Sequence, residues 1–390
     1  MKNKNLNKII KSIQKVTGKK RCSLHEPWFD KLETKYLNKA IKNNSVSTYG
    51  EETVKFEKEI KKFTGSNYAV ALINGSTALY LSLYLIGVNR DTEVLVPALN
   101  YIASANAVVR LGGTPHFIDV EEQTLGPDVV KLDAYLLSKC KIINGICYNK
   151  KTKKKIVAII ATHIFGNPAN IKGILKLCSK YKIELIEDAA EAFGSFYNGK
   201  HVGRFGKVGV LSFNGNKIIT TGGGGAIITD SKKFADKIKL ISTNYRKTHT
   251  WQFKHSALGF NYRMPSLNAQ LGIAQIKKLK KFIKLKRLLF NKYKDSFIGV
   301  KGLKLLKEMR GSKSNYWLQT IILDKASVKF RDLILKKTND LNIGTRPVWK
   351  ILNENKHLKF YPKMNLKNAI NLEKRIVNLP SSPILCQKKK

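Results

Sequence analysis

The sequence predicts an α/β fold, a mostly parallel sheet flanked by helices in a large domain, with a smaller α+β C-terminal domain. Three observations carry this. From about Tyr68, short continuous apolar runs alternate with turns and helix-length segments. Several runs end in small or polar residues, as strands do before a helix. A long amphipathic stretch, 266–293, then separates this part from a second strand and helix pattern, 316–323 and 330–341.

Taken in order, residues 68–73 form a buried-type strand that Asn74, Gly75, Ser76 and Thr77 turn into an apolar helix, 78–87. Backbone amides and hydroxyls at such a helix start make an anion site. Strand 93–96 stops at Pro97, 101–111 reads as helix, and 115–120 returns as strand. Strand 156–161 leads through a loop at 162–168 and a helix through Lys180 into strand 183–186. That strand runs into Glu187 and Asp188, with Glu191 three residues on. Open α/β sheets bind ligands outside the carboxyl ends of their strands, so Asp188 stands where a functional carboxylate belongs; taken alone it reads equally as a helix N-cap.

Residues 211–229 join an apolar run, Lys217 among small and polar residues, four glycines (222–225) and a second β-type run. A lysine on a tight connection between strands can be buried into Schiff-base chemistry, or can be a surface lysine on a Gly-rich hairpin. The glycines lead into a strand and lack the Gly-x-Gly-x-x-Gly spacing that opens a helix, which argues against dinucleotide binding.

The length of 390 residues and 43% hydrophobic content suit one large and one smaller domain. The expected division is a basic, solvated N-terminal extension over 1–20, a large domain over 21–265, and the linking helix with the small domain over 266–390. The net charge of +45 implies attraction to polyanions, yet lysine crowds even ordinary helix surfaces such as 277–287, which reads as compositional bias. No specific nucleic-acid partner is expected. Five scattered cysteines with no Cys-x-x-Cys pair point to a reducing compartment and no metal site. With no apolar run of membrane-spanning length, the expectation is a cytoplasmic protein.

Together these motifs resemble the fold-type-I, pyridoxal-phosphate-dependent sugar aminotransferases of the DegT/DnrJ/EryC1/StrS family, in the family's order and over about residues 21–385. The stretch 212–225 resembles most the branch that aminates UDP-linked 4-keto-6-deoxy-HexNAc on the way to bacillosamine or legionaminic acid. Leu24-His25-Glu26-Pro27, His163-Ile164-Phe165-Gly166 and 259–264 resemble the same branch. Perosamine-type and 3-keto nucleotide sugars are the alternatives, and a nucleic-acid-binding regulator on the same scaffold a more distant one.

The resemblance implies that Lys217 carries pyridoxal 5′-phosphate and shuttles the substrate proton. It implies that Ser212, Ser76 and the Thr77 amide hold the phosphate, that Asp188 faces the pyridine nitrogen, and that Glu191 lies near the phenolic oxygen. Tyr101 would stack on the ring, and Asn261 would reach the phosphate of a neighbouring subunit, so a homodimer with shared sites is expected. The substrates implied are a nucleotide-linked keto-sugar and L-glutamate, used in ping-pong order. Histidine replaces the lysine in dehydratase relatives, so Lys217 argues against that chemistry. Asn100 and Arg204 depart from the family pattern and are expected to alter the sugar pocket.

Overall fold

The computed structural model describes residues 2–18, 21–48, 50–247, 251–252 and 254–387. Helices α1 (Lys2–Thr17), α2 (Lys31–Lys42) and α3 (Glu51–Thr64) precede the sheet. Then follow β1 (Tyr68–Leu72), α4 (Gly75–Leu85), β2 (Thr92–Pro97), α5 (Ala103–Arg110), β3 (Thr114–Ile118) and α6 (Val129–Lys139). A hairpin that the sequence reading did not anticipate, β4 (Cys140–Ile143) and β5 (Ile146–Asn149), leads into β6 (Lys155–Thr162), α7 (Ile171–Tyr181) and β7 (Glu184–Asp188). After a short ribbon, β8 (Phe196–Tyr197) and β9 (Lys200–His201), come β10 (Val208–Ser212), β11 (Gly225–Thr229) and α8 (Lys232–Ile241).

The main sheet runs β1-β11-β10-β7-β6-β2-β3. The pairs β10–β7, β7–β6, β6–β2 and β2–β3 are parallel, whereas β11 is antiparallel to both neighbours. Parallel strands carry helices on both faces and must be apolar throughout, which is why β2, β3 and β10 are wholly buried. Their common direction gathers Pro97, Thr162, Asp188 and Ser212 at one end of the sheet; Asp188 stands in register with Thr162 on one side and Val210 on the other.

Beyond a ribbon of β12 (Arg246–Lys247) and β13 (Lys254–His255), helix α9 (Ser266–Ser296) crosses to the smaller part of the molecule. There β14 (Leu303–Leu305), β16 (Gln319–Leu323), β17 (Arg346–Pro347) and β18 (Ile376–Leu379) form a sheet in the order β14-β16-β18-β17, accompanied by α10 (Arg331–Asp340) and α11 (Lys367–Glu373). The two-residue strand β15 (Ser312–Lys313) instead pairs with β8 of the large part.

One expectation is overturned. The N-terminal segment is not a solvated extension: α1 buries Leu6, Ile9, Ile10 and Ile13 against Leu289 and Tyr293 of α9 and the apolar face of the small sheet. Four apolar side chains spaced i, i+3, i+4, i+7 form one stripe of a helix, and their burial outweighs the preference of the flanking lysines for water, which still leave by the other face. Among the described residues no helix is long and apolar enough to cross a membrane, and no group of three or more His, Cys, Asp or Glu could hold a metal ion.

Candidate active site

The loop between β10 and β11 closes on Phe213, which donates its N–H to Gly224 O (2.9 Å) and accepts from Thr221 N–H (2.9 Å). Lys217 stands in this loop with its amine largely enclosed, the side chain only 14% exposed. Its Nζ is 3.6 Å from Glu191 Oε1 and 4.1 Å from the centre of the Trp317 ring. Trp317 comes from the segment leading into the small sheet and donates its Nε1–H to Asn216 O (2.7 Å), so a residue remote in sequence fixes the loop beside the lysine. Nothing in the local sequence around Lys217 announces Trp317.

Glu191 Oε2 accepts the Phe165 N–H (2.8 Å), and Phe165 adopts a left-handed backbone (φ 55°), rare for a bulky residue and held here by that bond and by burial. Burial pushes the Glu191 carboxyl up to about 7, against the opposing pull of Lys217. Asp188 lies buried at the end of β7 and accepts from Ser104 Oγ (3.2 Å) and from Ala190 N–H (3.2 Å). Burial raises its pKa, and the Ala190 amide, Lys217, Ser104 and His163 pull the other way. His163 is saturated by structure: Nδ1 accepts from Ala169 N–H (3.1 Å), which leaves Nε2–H to donate to Glu187 (3.1 Å).

Ser212, in register with Gly225, ends β10 against the start of α4. A Cβ at Gly75 would lie 3.0 Å from Ser212 Cβ and 3.3 Å from its Oγ, so glycine is what lets the first turn of α4 reach the serine hydroxyl. Asn74 caps this helix by accepting the Thr77 N–H (2.7 Å). The Thr77 amide, expected to meet a phosphate, is engaged by this cap, whereas the amides of Gly75 and Ser76 have no intrahelical acceptor and are the free donors of the turn. Ser76 is exposed beside them and lines a groove of about 340 Å³ with Tyr80, Tyr101, Asn106 and Arg110. Donors, hydroxyls and a positive helix end suit a phosphate, while the enclosed Lys217 and the buried Asp188 stand at the same end of the sheet; this set of groups fits pyridoxal phosphate.

A Cβ at Gly225 would lie 2.4 Å from the Asn74 carbonyl carbon, so this glycine lets β11 pack against the anion-binding turn. Asn268 Nδ2 donates to the carbonyls of Thr221 (2.7 Å) and Gly223 (3.2 Å), tying the run to α9.

Tyr101 follows β2 and is 54% exposed, its ring 6.0 Å from Trp349 of the small domain. Leu352 N–H donates to Ala98 O (2.8 Å), docking the segment that carries Trp349 onto the end of β2. Asn261 is exposed, bridges to Thr243, and makes none of the contacts to Lys217, Asp188 or Ser212 among the described residues. Asn100 and Arg204, expected to alter the sugar pocket, are both engaged by neighbouring protein groups. Asn100 is buried and donates to Thr162 (2.8 Å) and Ser104 (3.1 Å), thus acting beneath Asp188. Arg204 braces Thr64 O and Asp230.

The DegT/DnrJ/EryC1/StrS aminotransferase family profile matches residues 27–390. The GDP-perosamine synthase of Vibrio cholerae is 35% identical over 367 residues, covering 93% of this chain and 94% of that protein. The putative pyridoxal phosphate-dependent aminotransferase EpsN of Bacillus subtilis is 31% identical, covering 85% and 82%. Among solved structures, Helicobacter pylori PseC, an aminotransferase involved in pseudoaminic acid biosynthesis, superposes with a TM-score of 0.83 over 93% of this chain and 94% of its own; at 23% identity it attests the fold. This chain belongs to the DegT/DnrJ/EryC1/StrS family and is a pyridoxal-phosphate-dependent aminotransferase of fold type I.

Proposed function

We propose that this enzyme moves an amino group from L-glutamate to the keto carbon of a nucleotide-linked sugar, and that the sugar is the GDP-linked precursor that amination turns into GDP-perosamine. The observation that carries the chemistry is Lys217 enclosed between Glu191 and Trp317, with Asp188 buried at the neighbouring strand end. The nucleotide rests on similarity: relatives at 35% and 32% identity are GDP-perosamine synthases. The UDP-linked HexNAc branch expected from the motifs has weaker support than the perosamine-type alternative.

In this reading Ser212, Ser76 and the Gly75 and Ser76 amides would hold the cofactor phosphate, Lys217 would bind its aldehyde, and Tyr101 would pack on its ring. Bound there, pyridoxal phosphate supplies an electron sink and stores the amino group between the two half-reactions. Asp188 keeps the ring nitrogen protonated, which a carboxylate beside it favours. Lys217, when its amine is free, would take the proton from the donor carbon onto Nζ and later give it up from the same atom. Glu191, assigned to the phenolic oxygen, has a carboxyl that burial pushes up to about 7. Asn261, exposed on this protomer, is assigned to the phosphate of a second copy in a homodimer, in an enzyme that works in the cytoplasm.

Mass spectrometry of products from matched GDP- and UDP-linked keto-sugars tests the specificity. Amination of the GDP-linked sugar with glutamate as donor is expected; amination of the UDP-linked sugar alone would overturn it.

A further inference from the structure

The hairpin of β4 and β5 stands at the margin of the main sheet. Its strands are joined by Asn144 and Gly145, both in the left-handed region (φ 49° and 75°), a tight turn whose twist matches that of paired strands. The register sets Ile143 directly opposite Ile146 beside the turn, and Ile142 opposite Cys147. The base is fixed. Lys150 N–H donates to Lys139 O (2.8 Å), Asn149 Nδ2 donates to the buried Glu93 (3.0 Å), and Cys140 and Cys147 are buried. Among the described residues its one pairing with the main sheet is Tyr148 opposite Lys155, so the tip is paired only with itself.

At that tip Ile142, Ile143 and Ile146 are 47%, 42% and 37% exposed. Successive residues of a strand point to opposite faces, so both sides of the tip present apolar surface to water. Residues 139–155 also hold seven lysines and no aspartate or glutamate. Among the described residues none of the seven forms an ion pair. Lys150 and Lys154 reach neutral oxygens instead, Ser138 O (2.9 Å) and Thr114 Oγ (2.8 Å). The hairpin meets the sheet at Lys155, the first residue of β6, whereas Thr162, the last, is in register with Asp188. Hairpin and candidate active site therefore lie at opposite ends of the sheet, separated by the length of β6, about 23 Å.

We propose that this hairpin docks the enzyme onto an anionic lipid surface, its isoleucine tip entering the boundary between headgroups and acyl chains while the lysines meet the lipid phosphates. Lysines alone would guard the open edge of β4 against pairing with another chain, but the isoleucines do nothing of that kind. A nucleic acid would take up the lysines and leave the isoleucines in water. A second copy of this chain, docked about a two-fold axis, would bring the same lysines face to face. An anionic bilayer answers both features. Its interface accepts apolar side chains, and its surface potential attracts cations, each lysine near it adding about fivefold in affinity. The contact is with one face of the bilayer, and the candidate active site, at the far end of the sheet, stays in water.

The test is co-sedimentation of the cofactor-loaded enzyme with vesicles of phosphatidylcholine alone and of phosphatidylcholine mixed with phosphatidylglycerol. The wild type should sediment with the mixed vesicles and not with phosphatidylcholine alone, and should do so less as salt rises. Ile142→Ser, Ile143→Ser and Ile146→Ser together keep every charge; they should weaken binding about tenfold or more and leave the amino-transfer rate unchanged. Lys150→Glu, Lys151→Glu and Lys153→Glu together should weaken it at least as much. Three like changes on α9, Lys277→Glu, Lys280→Glu and Lys284→Glu, should leave most of the binding, which separates the hairpin from the overall charge of the chain. Full binding by the serine variant would be adsorption by charge and would overturn the proposal, as would an equal loss in the α9 variant or no binding to the mixed vesicles. A changed oligomeric state of the serine variant in analytical ultracentrifugation would make the hairpin an interface between copies and overturn it. So would binding of single-stranded RNA that the lysine variant loses, without vesicle binding. If the serine variant fails to fold, Ile143→Trp decides: its fluorescence should shift to the blue on the mixed vesicles, and no shift overturns the proposal.

Discussion

Glu191 Oε1 lies 3.6 Å from Lys217 Nζ, both side chains enclosed, so that the carboxyl is held between burial and one neighbouring cation. Burial prevails and lifts its pKa from 4.5 to about 7. A carboxyl raised on folding contributes stability that is fully present below its unfolded value and is lost as pH rises through the folded one. The wild-type apoprotein should therefore lose stability between about pH 4.5 and pH 7 relative to Glu191→Gln, by on the order of 3 kcal/mol once the pH has passed the folded value. Thermal melts of both proteins across that range check the difference, in which the similarly raised Asp188 cancels.

Asp188 receives Ser104 Oγ, and Ser104 in turn receives Asn100 Nδ2. Asp188→Asn keeps the volume and removes the charge, so the rate of the glutamate half-reaction should fall by about 10²–10⁴-fold while the fold persists. Asn100→Ala should cost less, about tenfold, because it loosens Ser104 without touching the carboxylate. Stopped-flow absorbance measures both rates.

Gly225→Ala places a methyl 2.4 Å from the Asn74 carbonyl carbon and 2.6 Å from Gly75 N, both backbone atoms with little room to give. The variant should lose about 1–3 kcal/mol of stability. It should also bind cofactor more weakly, because the anion-binding turn must shift. Cofactor titration read alongside thermal melts checks both effects.

In α1, Ile13 is fully buried against the small domain. Ile13→Ala should destabilise the protein by about 2–4 kcal/mol. An exposed neighbour such as Lys11 should tolerate alanine within about 0.5 kcal/mol, and denaturant melts compare the two.

What could be read from the sequence follows from how far each signal reaches along the chain. Continuous apolar runs located β6 and β7, because a parallel strand is buried on both faces and needs no partner to be recognised, and the same signal located β1, which is as deeply buried although it pairs antiparallel with β11. Asp188, Ser212 and Lys217 stand at strand ends or the loop between strands, so their placement followed from the strands. The stripe Leu6, Ile9, Ile10 and Ile13 was equally legible by its spacing, but the surrounding lysines drew the reading toward solvent. The small-domain contribution was not legible. Trp317 and Trp349 carry no local signal of where they go, since their approach to Lys217 and Tyr101 depends on how the C-terminal part docks. The partners of Asn100 and Arg204 were not legible either: a departure from a motif names a position and says nothing of the direction in which the side chain points.

The most direct test of the central claim is chemical. Borohydride reduction of the cofactor-loaded protein, followed by digestion and mass spectrometry, fixes the cofactor to whichever lysine holds it. With 72 lysines and arginines in the chain, nonspecific labelling would spread over many sites. The account predicts one dominant adduct, on Lys217, abolished in Lys217→Ala. A dominant adduct on another lysine, or an unchanged pattern in the variant, would contradict it.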